Sequence, residues 1–460
     1  MKARTLALSL SFLIVLIACL QTPIVANAGV ETPIPPPPAT LLWWHWQPTN
    51  DIALSKSGGY VAVASPAGLQ FYDRASADPK TPMWTYSAGG AFFSVAISAD
   101  GDCVAAGNGT LGRGFVFFWK NARSLTGTPD PTWISGNLWG RIAYRALAIS
   151  DDGNYLVACG TGPGVYYWAD TKTKSGNDVQ MTWWYIFVSI NIVEAVDISS
   201  DGDYVVAGTV VDSGSGHANV PYWKNARTLN AWQNPTWMST YPNDNIVDVA
   251  ISDDGNYVAA AGMLGFSPVY YWANARSLSD DPTTTWESAS GVDFSSIDMS
   301  SNGDKVIAGA LGPNLGDQGV YFWTGARTRS GTQPWSWRYT TQGPVHDVAI
   351  NDAGDYMAAA NDEATPYVYF LDDKGDLLWR YGPLDDEAYV LSISSDGGTL
   401  AIGTGMFDSD YLVSTGYRTS RAVGGILMAV DKLTLLSPWI VVALAAVALT
   451  IFATKRRRTL

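Results

Sequence analysis

The phrase ISDDGNYVAAAG, residues 251–262, constrains the fold more than any other part of this chain, because it recurs. Near copies stand at residues 97–107 (ISADGDCVAAG), 149–160 (ISDDGNYLVACG) and 198–209 (ISSDGDYVVAGT). Anchored on its turn glycine, the repeat falls at Gly58, Gly101, Gly153, Gly202, Gly255, Gly303, Gly354 and Gly397, with successive spacings of 43 to 53 residues. Units of that length built from strand-like segments indicate propeller blades.

Each unit opens with strict alternation. Large apolar residues such as Val249 and Ile251 flank a small or acidic one, Ala250, and the same holds around Ala53, Ala96, Ala148, Asp197, Asp298, Ala349 and Ser392. Period two means a strand with two unlike faces. A tight Asp-Gly turn then leads to a second strand (YVAAAG). The third is aromatic: VFFW, VYYW, VPYW, VYYW and VYFW end at Trp119, Trp168, Trp223, Trp272 and Trp323. The fourth centres on Trp84, Trp133, Trp183, Trp237, Trp286, Trp337 and Trp379. Four strands in each of eight repeats predict an all-β, eight-bladed propeller.

The eighth repeat lacks a fourth strand. Residues 389–394 and 399–404 supply its first two, GGILMAV (residues 424–430) is the expected third, and the orphan LLWWHW (residues 41–46) is expected to complete it. Such closure removes an exposed sheet edge.

The two ends predict location. Lys2 and Arg4, an apolar core at 6–20 and ANA at 26–28 make residues 1–28 a signal peptide; LIAC at 16–19 is the rival, a lipobox that would lipidate Cys19. Residues 29–40 are a proline-rich tether. The propeller is expected over 41–432. The uncharged segment 433–454 is long enough to span a bilayer, which takes ~20 apolar residues, and the basic tail 455–460 should stay cytoplasmic. The chain therefore reads as a single-pass membrane protein with its propeller outside the cell. A disulfide is not expected. Cys103 and Cys159 sit four residues apart in repeat register, an offset of ~13 Å along a strand, against a limit of about 7 Å between Cα atoms.

Phrases such as VAISDDGNYVAAAG…VYYW resemble secreted prokaryotic WD-repeat and quinoprotein-like (PQQ-like) propellers, and VYFLDDKGDLLWRY (residues 368–381) is similar to a quinoprotein blade phrase. The resemblance implies a fold for residues 41–432 and little about function, because propellers host unrelated activities. In such propellers the turns between first and second and between third and fourth strands share one face, and the binding loops share the other. With residues 424–430 as the last strand, only Asp431 and Lys432 precede the membrane segment, so the Asp-Gly turn face should look at the membrane. The opposite loops should look outward, the longest being 406–423. Loops carry function more often than the scaffold does.

Among outward residues, Phe93, Trp139 and Phe266 are candidate ligand contacts, because they stand off the packing columns. Asp317, Asp362, Glu363, Asp385, Asp386, Glu387, Asp408 and Asp410 form an acidic sector from blades six to eight. They are either a solvated rim or a site for a divalent cation or basic partner, and that cation is the only cofactor the sequence suggests. Asp51, Asp197, Asp248, Asp298 and Asp347 are a second acidic set near the channel. Arg123, Lys172, Arg227, Arg276 and Arg327 recur after the third strand and either pair with turn aspartates or meet lipid head groups. Asn108 heads a glycosylation sequon, NGT.

Some classes are disfavoured. A net charge of −14 argues against nucleic acid. Three histidines, no vicinal cysteine pair and S-x-D-G turns, one residue short of sialidase boxes, argue against an enzyme. The expectation is a surface-anchored binding or adhesion module for an extracellular protein or glycan. The alternative is a structural component of the cell envelope.

Overall fold

The computed structural model describes residues 39–418 except 75–80, 111, 143–145, 188–190, 212–216, 243, 265–266, 290, 313–316, 363–365, 383, 385–386 and 406–408. The chain divides into Met1–Pro37 and Pro38–Leu460, and every described residue lies in the second. The signal, tether, membrane segment and tail expected at the two ends lie outside the described residues, as do Phe266, Glu363, Asp385, Asp386 and Asp408. Among the described residues no helix is long and apolar enough to cross a membrane.

Eight sheets form the body, each built on four antiparallel strands. Blade five shows the plan: Ile246–Ile251, Tyr257–Gly262, Val269–Ala273 and Trp286–Ser288 pair in sequence order from the inside out. Each inner strand touches that of the next blade, and the inner strand of blade eight touches that of blade one, closing the ring. Blade eight consists of Ala388–Ile393, Thr399–Thr404 and Ser409–Ser414, completed by the N-terminal strand Thr40–Trp46. The closure thus occurs as the orphan strand predicts.

The third strand of blade eight differs from expectation. It is Ser409–Ser414, joined to the second by a short connection, not residues 424–430. Asp410 opposite Gly403 and Val413 opposite Leu400 continue the ladder directly, so nothing is left for a later segment to pair with. Two inferences fall with it. Residues 409–414, expected inside a long outward loop, form a strand, and as the third strand of blade eight they end well before Asp431, so a membrane-facing Asp-Gly face no longer follows from the position of that strand.

The recurring phrase is a blade-to-blade joint. Ser252 Oγ donates to Asp254, whose carboxylate accepts the Asn256 N–H, while the Tyr257 N–H donates back to Ser252 Oγ. Gly255 sits at φ +71°, and a Cβ there would stand 2.2 Å from the Tyr204 ring of the preceding blade. Glycine is needed twice over, for the left-handed backbone and for the close approach. In blade three the residue packed on the turn glycine, Gly153, is Cys103 instead of a tyrosine. Both Cys103 and Cys159 are buried and free, and burial pushes the Cys103 thiol up to about 12.

A second joint explains the tryptophan column. The Trp183 indole stacks on Tyr167 of its own blade (4.9 Å between centroids) and donates 2.9 Å to the Ala226 carbonyl of the next. Trp84, Trp133, Trp237, Trp286, Trp337 and Trp379 each make the equivalent bond, at 2.9 to 3.0 Å. Blades two, three and five also receive a parallel fifth strand from their successor: Gly176–Val179, Ala231–Trp232 and Gly331–Gln333. The second of these, Ala231–Trp232, forms one wall of a groove on the outer rim.

Candidate functional site

Three concave places stand out among the described residues: the two mouths of the central channel and a groove on the outer rim.

The mouth on the Asp-Gly turn face encloses about 270 Å³. Its rim is one repeat column: Lys56, Ala99, Asp151, Ser200, Asp253, Ser301, Asp352 and Ser395. Backbone bonds tie the rim from blade to blade, Asp151 N–H to the Ser200 carbonyl (2.9 Å) and Asp253 N–H to that of Ser301 (2.9 Å) among them. Lys56 alone carries positive charge there, and its Nζ lies 2.9 Å from Asp151, 3.4 Å from Asp253 and 3.4 Å from Ser200. Burial acts to lower its pKa, but the surrounding Asp151, Asp253 and Asp352 carboxylates raise it overall. Sequence reading passed over this column because it judged each turn separately; a lone lysine among acidic and small residues was the available signal.

Below this mouth the second acidic set bridges blades. Its carboxylates accept from inner-strand N–H groups of their own and of a following blade. Asp197 accepts from Ile198 of its own strand and Ile251 of the next. Asp248 serves Val249 and Ile297, Asp298 serves Met299 and Ile350, and Asp347 serves Val348 and Leu391. Asp51 serves Ile52 and Val95. Burial pushes Asp51 and Asp197 up to about 7 and Asp298 to about 8, against those hydrogen bonds. The arginines behave similarly as structure: Arg123, Arg227 and Arg327 pair with turn residues Asp102, Asp203 and Asp304 at 3.1 to 3.2 Å, and Lys172 donates to the Asp152 carbonyl.

The opposite mouth, about 330 Å³, is lined by Glu194, Val247, Met263, Ser295, Leu311, His346 and Tyr389. His346 lies 3.5 Å from Asp362, and the Tyr389 hydroxyl donates to Glu387. Phe93 holds the same strand position in blade two, with the Arg141 guanidinium 4.5 Å over its ring. Four of the acidic sector lie among the described residues. Asp362 and Glu387 stand by this mouth, Asp317 offers its carbonyl to Tyr321, and Asp410 is fully buried. Gln47 donates to Asp410 at 2.8 Å, Thr49 donates as well, and burial pushes its carboxyl up to about 8. Among the described residues no group of three or more His, Cys, Asp or Glu side chains is placed to hold a metal. Asn108 is buried too, its amide donating to the Gly89 carbonyl.

The third place holds Trp139. A groove of about 660 Å³ is lined by Asn137, Trp139, Tyr166, Gln180, Met181, Trp184, Ile186 and Trp232. Trp139 is 60% exposed and Trp232 46%. The loop bearing Trp139 is fixed from beneath: its N–H donates 3.2 Å to the Tyr166 hydroxyl, and Gly140, at φ +84°, packs so closely on Gly162 that a Cβ would stand 2.3 Å from the Gly162 nitrogen. Trp184 belongs to the outer strand of blade three, and Trp232 to the added strand paired with it. Sequence reading singled out Trp139 but grouped it with Phe93, which the structure places at the channel mouth. It missed Trp184 and Trp232, although both stand off the two tryptophan columns.

No family model matches the chain, and no curated protein matches it. Among solved structures it is similar to the C-terminal WD40 domain of Sif2, with 13% identity, a TM-score of 0.60, and coverage of 82% of this chain and 98% of that one. It is also similar to the β-propeller domain of Cps50 (Swd1) from Myceliophteria thermophila, with 12% identity, a TM-score of 0.51, and coverage of 82% and 99%. Likeness at such identities is one of fold: the chain is a β-propeller, as those two WD40-type domains are.

Proposed function

We propose that the chain is a surface-displayed interaction module that docks its partner in the groove of Trp139, Trp184 and Trp232. The observation that carries this reading is the pair of exposed indoles facing an apolar groove, in a molecule whose other large side chains are mostly packed away. Exposed apolar patches of this kind mark binding surfaces, and tryptophan is enriched among the few residues that carry most of the binding energy of an interface. Display at the cell surface is supported by the signal-like residues 1–28, the apolar stretch 433–454 and the basic residues after it.

The test has two arms. The full chain carrying a C-terminal tag is expressed in cells, and intact cells are treated with protease; digestion of the propeller with protection of the tag is expected. In the second arm, capture of envelope material by the full chain is compared with that by the W139A/W232A variant. Equal capture by both overturns the groove as the docking surface. Protection of the whole chain in intact cells overturns display.

A further inference from the structure

The groove's chemistry narrows what it takes. None of its eight lining residues is charged, in a chain whose net charge is −14. No lining residue can ion-pair with a ligand, the Asp178 carboxylate beside Gln180 accepts from that amide, and a charged group buried against Trp139 or Trp232 would go uncompensated. The polar groups present are two amides, Asn137 and Gln180, and the Tyr166 hydroxyl. Gln180 directs its NH₂ to Asp178, to the carbonyl at 3.0 Å and the carboxylate at 3.2 Å, which leaves its oxygen as an acceptor. Asn137 offers a donor and an acceptor on one planar group and Gln180 adds a second acceptor, and the ligand group that both donates and accepts in this way is a hydroxyl, or two on adjacent carbons.

The apolar surface points the same way. An indole face is electron-rich and attracts weakly positive hydrogens. The C–H face of a sugar ring offers these in a flat array, with its hydroxyls at the edge. At about 660 Å³ the groove is within the range of a ligand site, about 300–1,000 Å³. We propose that this groove binds a neutral, hydroxyl-rich glycan chain, stacked on Trp139 and Trp232 with Asn137 and Gln180 at its hydroxyl edge. The inference rests on the groove being the docking surface.

Affinity electrophoresis of the detergent-solubilised full chain tests it, with neutral mannan, β-glucan and galactan as probes. Acidic alginate, basic chitosan and a decaproline peptide are run beside them. At least one neutral glycan should retard the chain, with little change between low and high salt. W139A and W232A should each weaken retardation roughly tenfold, the order expected for loss of one stacked ring and its buried area. Both residues are exposed, so their melting temperatures should match the parent and exclude unfolding as the cause. Retardation by a neutral glycan that survives both substitutions overturns the proposal, as does failure of all three neutral glycans. Decaproline binding that is lost in W139A, without glycan binding, overturns the glycan and leaves the groove standing. Salt-sensitive binding of alginate or chitosan alone overturns both.

Discussion

The Lys56 ammonium, from blade one, lies 2.9 Å from the Asp151 carboxylate of blade three, across the turn-face mouth of the channel. One side chain thus links blades that are not neighbours, and by reaching Asp253 it extends to blade five. Lys56→Met keeps the stem and removes the charge, leaving Asp151, Asp253 and Asp352 to repel one another. The groups are about a third to a half exposed, so solvent weakens the effect and the loss should be about 1 kcal/mol. A lowered melting temperature in dilute buffer, recovered in part at high salt, is the expected result. A salt-independent loss would mean that packing, not charge, is what Lys56 contributes.

Trp183 tests the outer joint. It is fully buried, stacked on Tyr167 and bonded to the Ala226 carbonyl of the next blade. Trp183→Phe retains most of the stack but strands a buried carbonyl, at about 1–3 kcal/mol. Trp183→Ala also opens a cavity, at about 3–5 kcal/mol. Denaturant unfolding of both variants separates the hydrogen bond from the ring. Equal losses would show that stacking contributes little.

Most of this architecture was legible in the sequence, and the reason is physical. A repeat reports the same joint several times over, the turn glycine in eight units and the tryptophan in seven, so Ser252, Asp254, Gly255 and Trp286 are each readable from their counterparts. The closure by Thr40–Trp46 was legible because one repeat lacked a strand. What failed was unrepeated. Blade eight's third strand, Ser409–Ser414, has no aromatic run ending in Trp, so a more apolar segment further on was read in its place. The fifth strands were missed because they are short and pair in parallel with another blade, which leaves no alternation of their own. Trp232 was missed with them, and so was the wall of the groove. Asp410 looked like a rim acid because its strand was read as a loop.

The buried carboxylates set a pH dependence. Burial raises Asp51 and Asp197 to about 7, and Asp298 and Asp410 to about 8, from an unfolded value of 3.8. Between those limits the folded chain holds protons that the unfolded chain has released. Their contribution to stability is therefore complete below about pH 4 and is lost as pH rises through 7 to 8. Melting temperature should fall between pH 5.5 and pH 8.5. Asp410→Asn, which keeps an acceptor for Gln47 and cannot ionise, should flatten that fall. A melting temperature that rises over this interval would contradict the assignment.

Closure is the last test, because it separates a ring from a row of blades. Thr40–Trp46 pairs along Ser409–Ser414, from Thr40 opposite Ser414 to Trp46 opposite Ser409. Its removal exposes a strand edge at blade eight and uncouples Gln47 and Thr49 from Asp410. In an open row each blade meets its neighbours as before, and losing a terminal strand would fray one end. In a closed ring the first and last blades also hold each other, as the contact between Asp51–Leu54 and Ala388–Ile393 shows. Deleting residues 40–46 should therefore lower the melting temperature of the whole propeller and promote association through the bared edge. The measurements are hydrogen exchange, resolved by blade, and light scattering. Protection lost in blades eight and one and lowered throughout supports the ring. Protection lost in blade eight alone, with unchanged melting, would show that the N-terminal strand decorates the propeller without closing it.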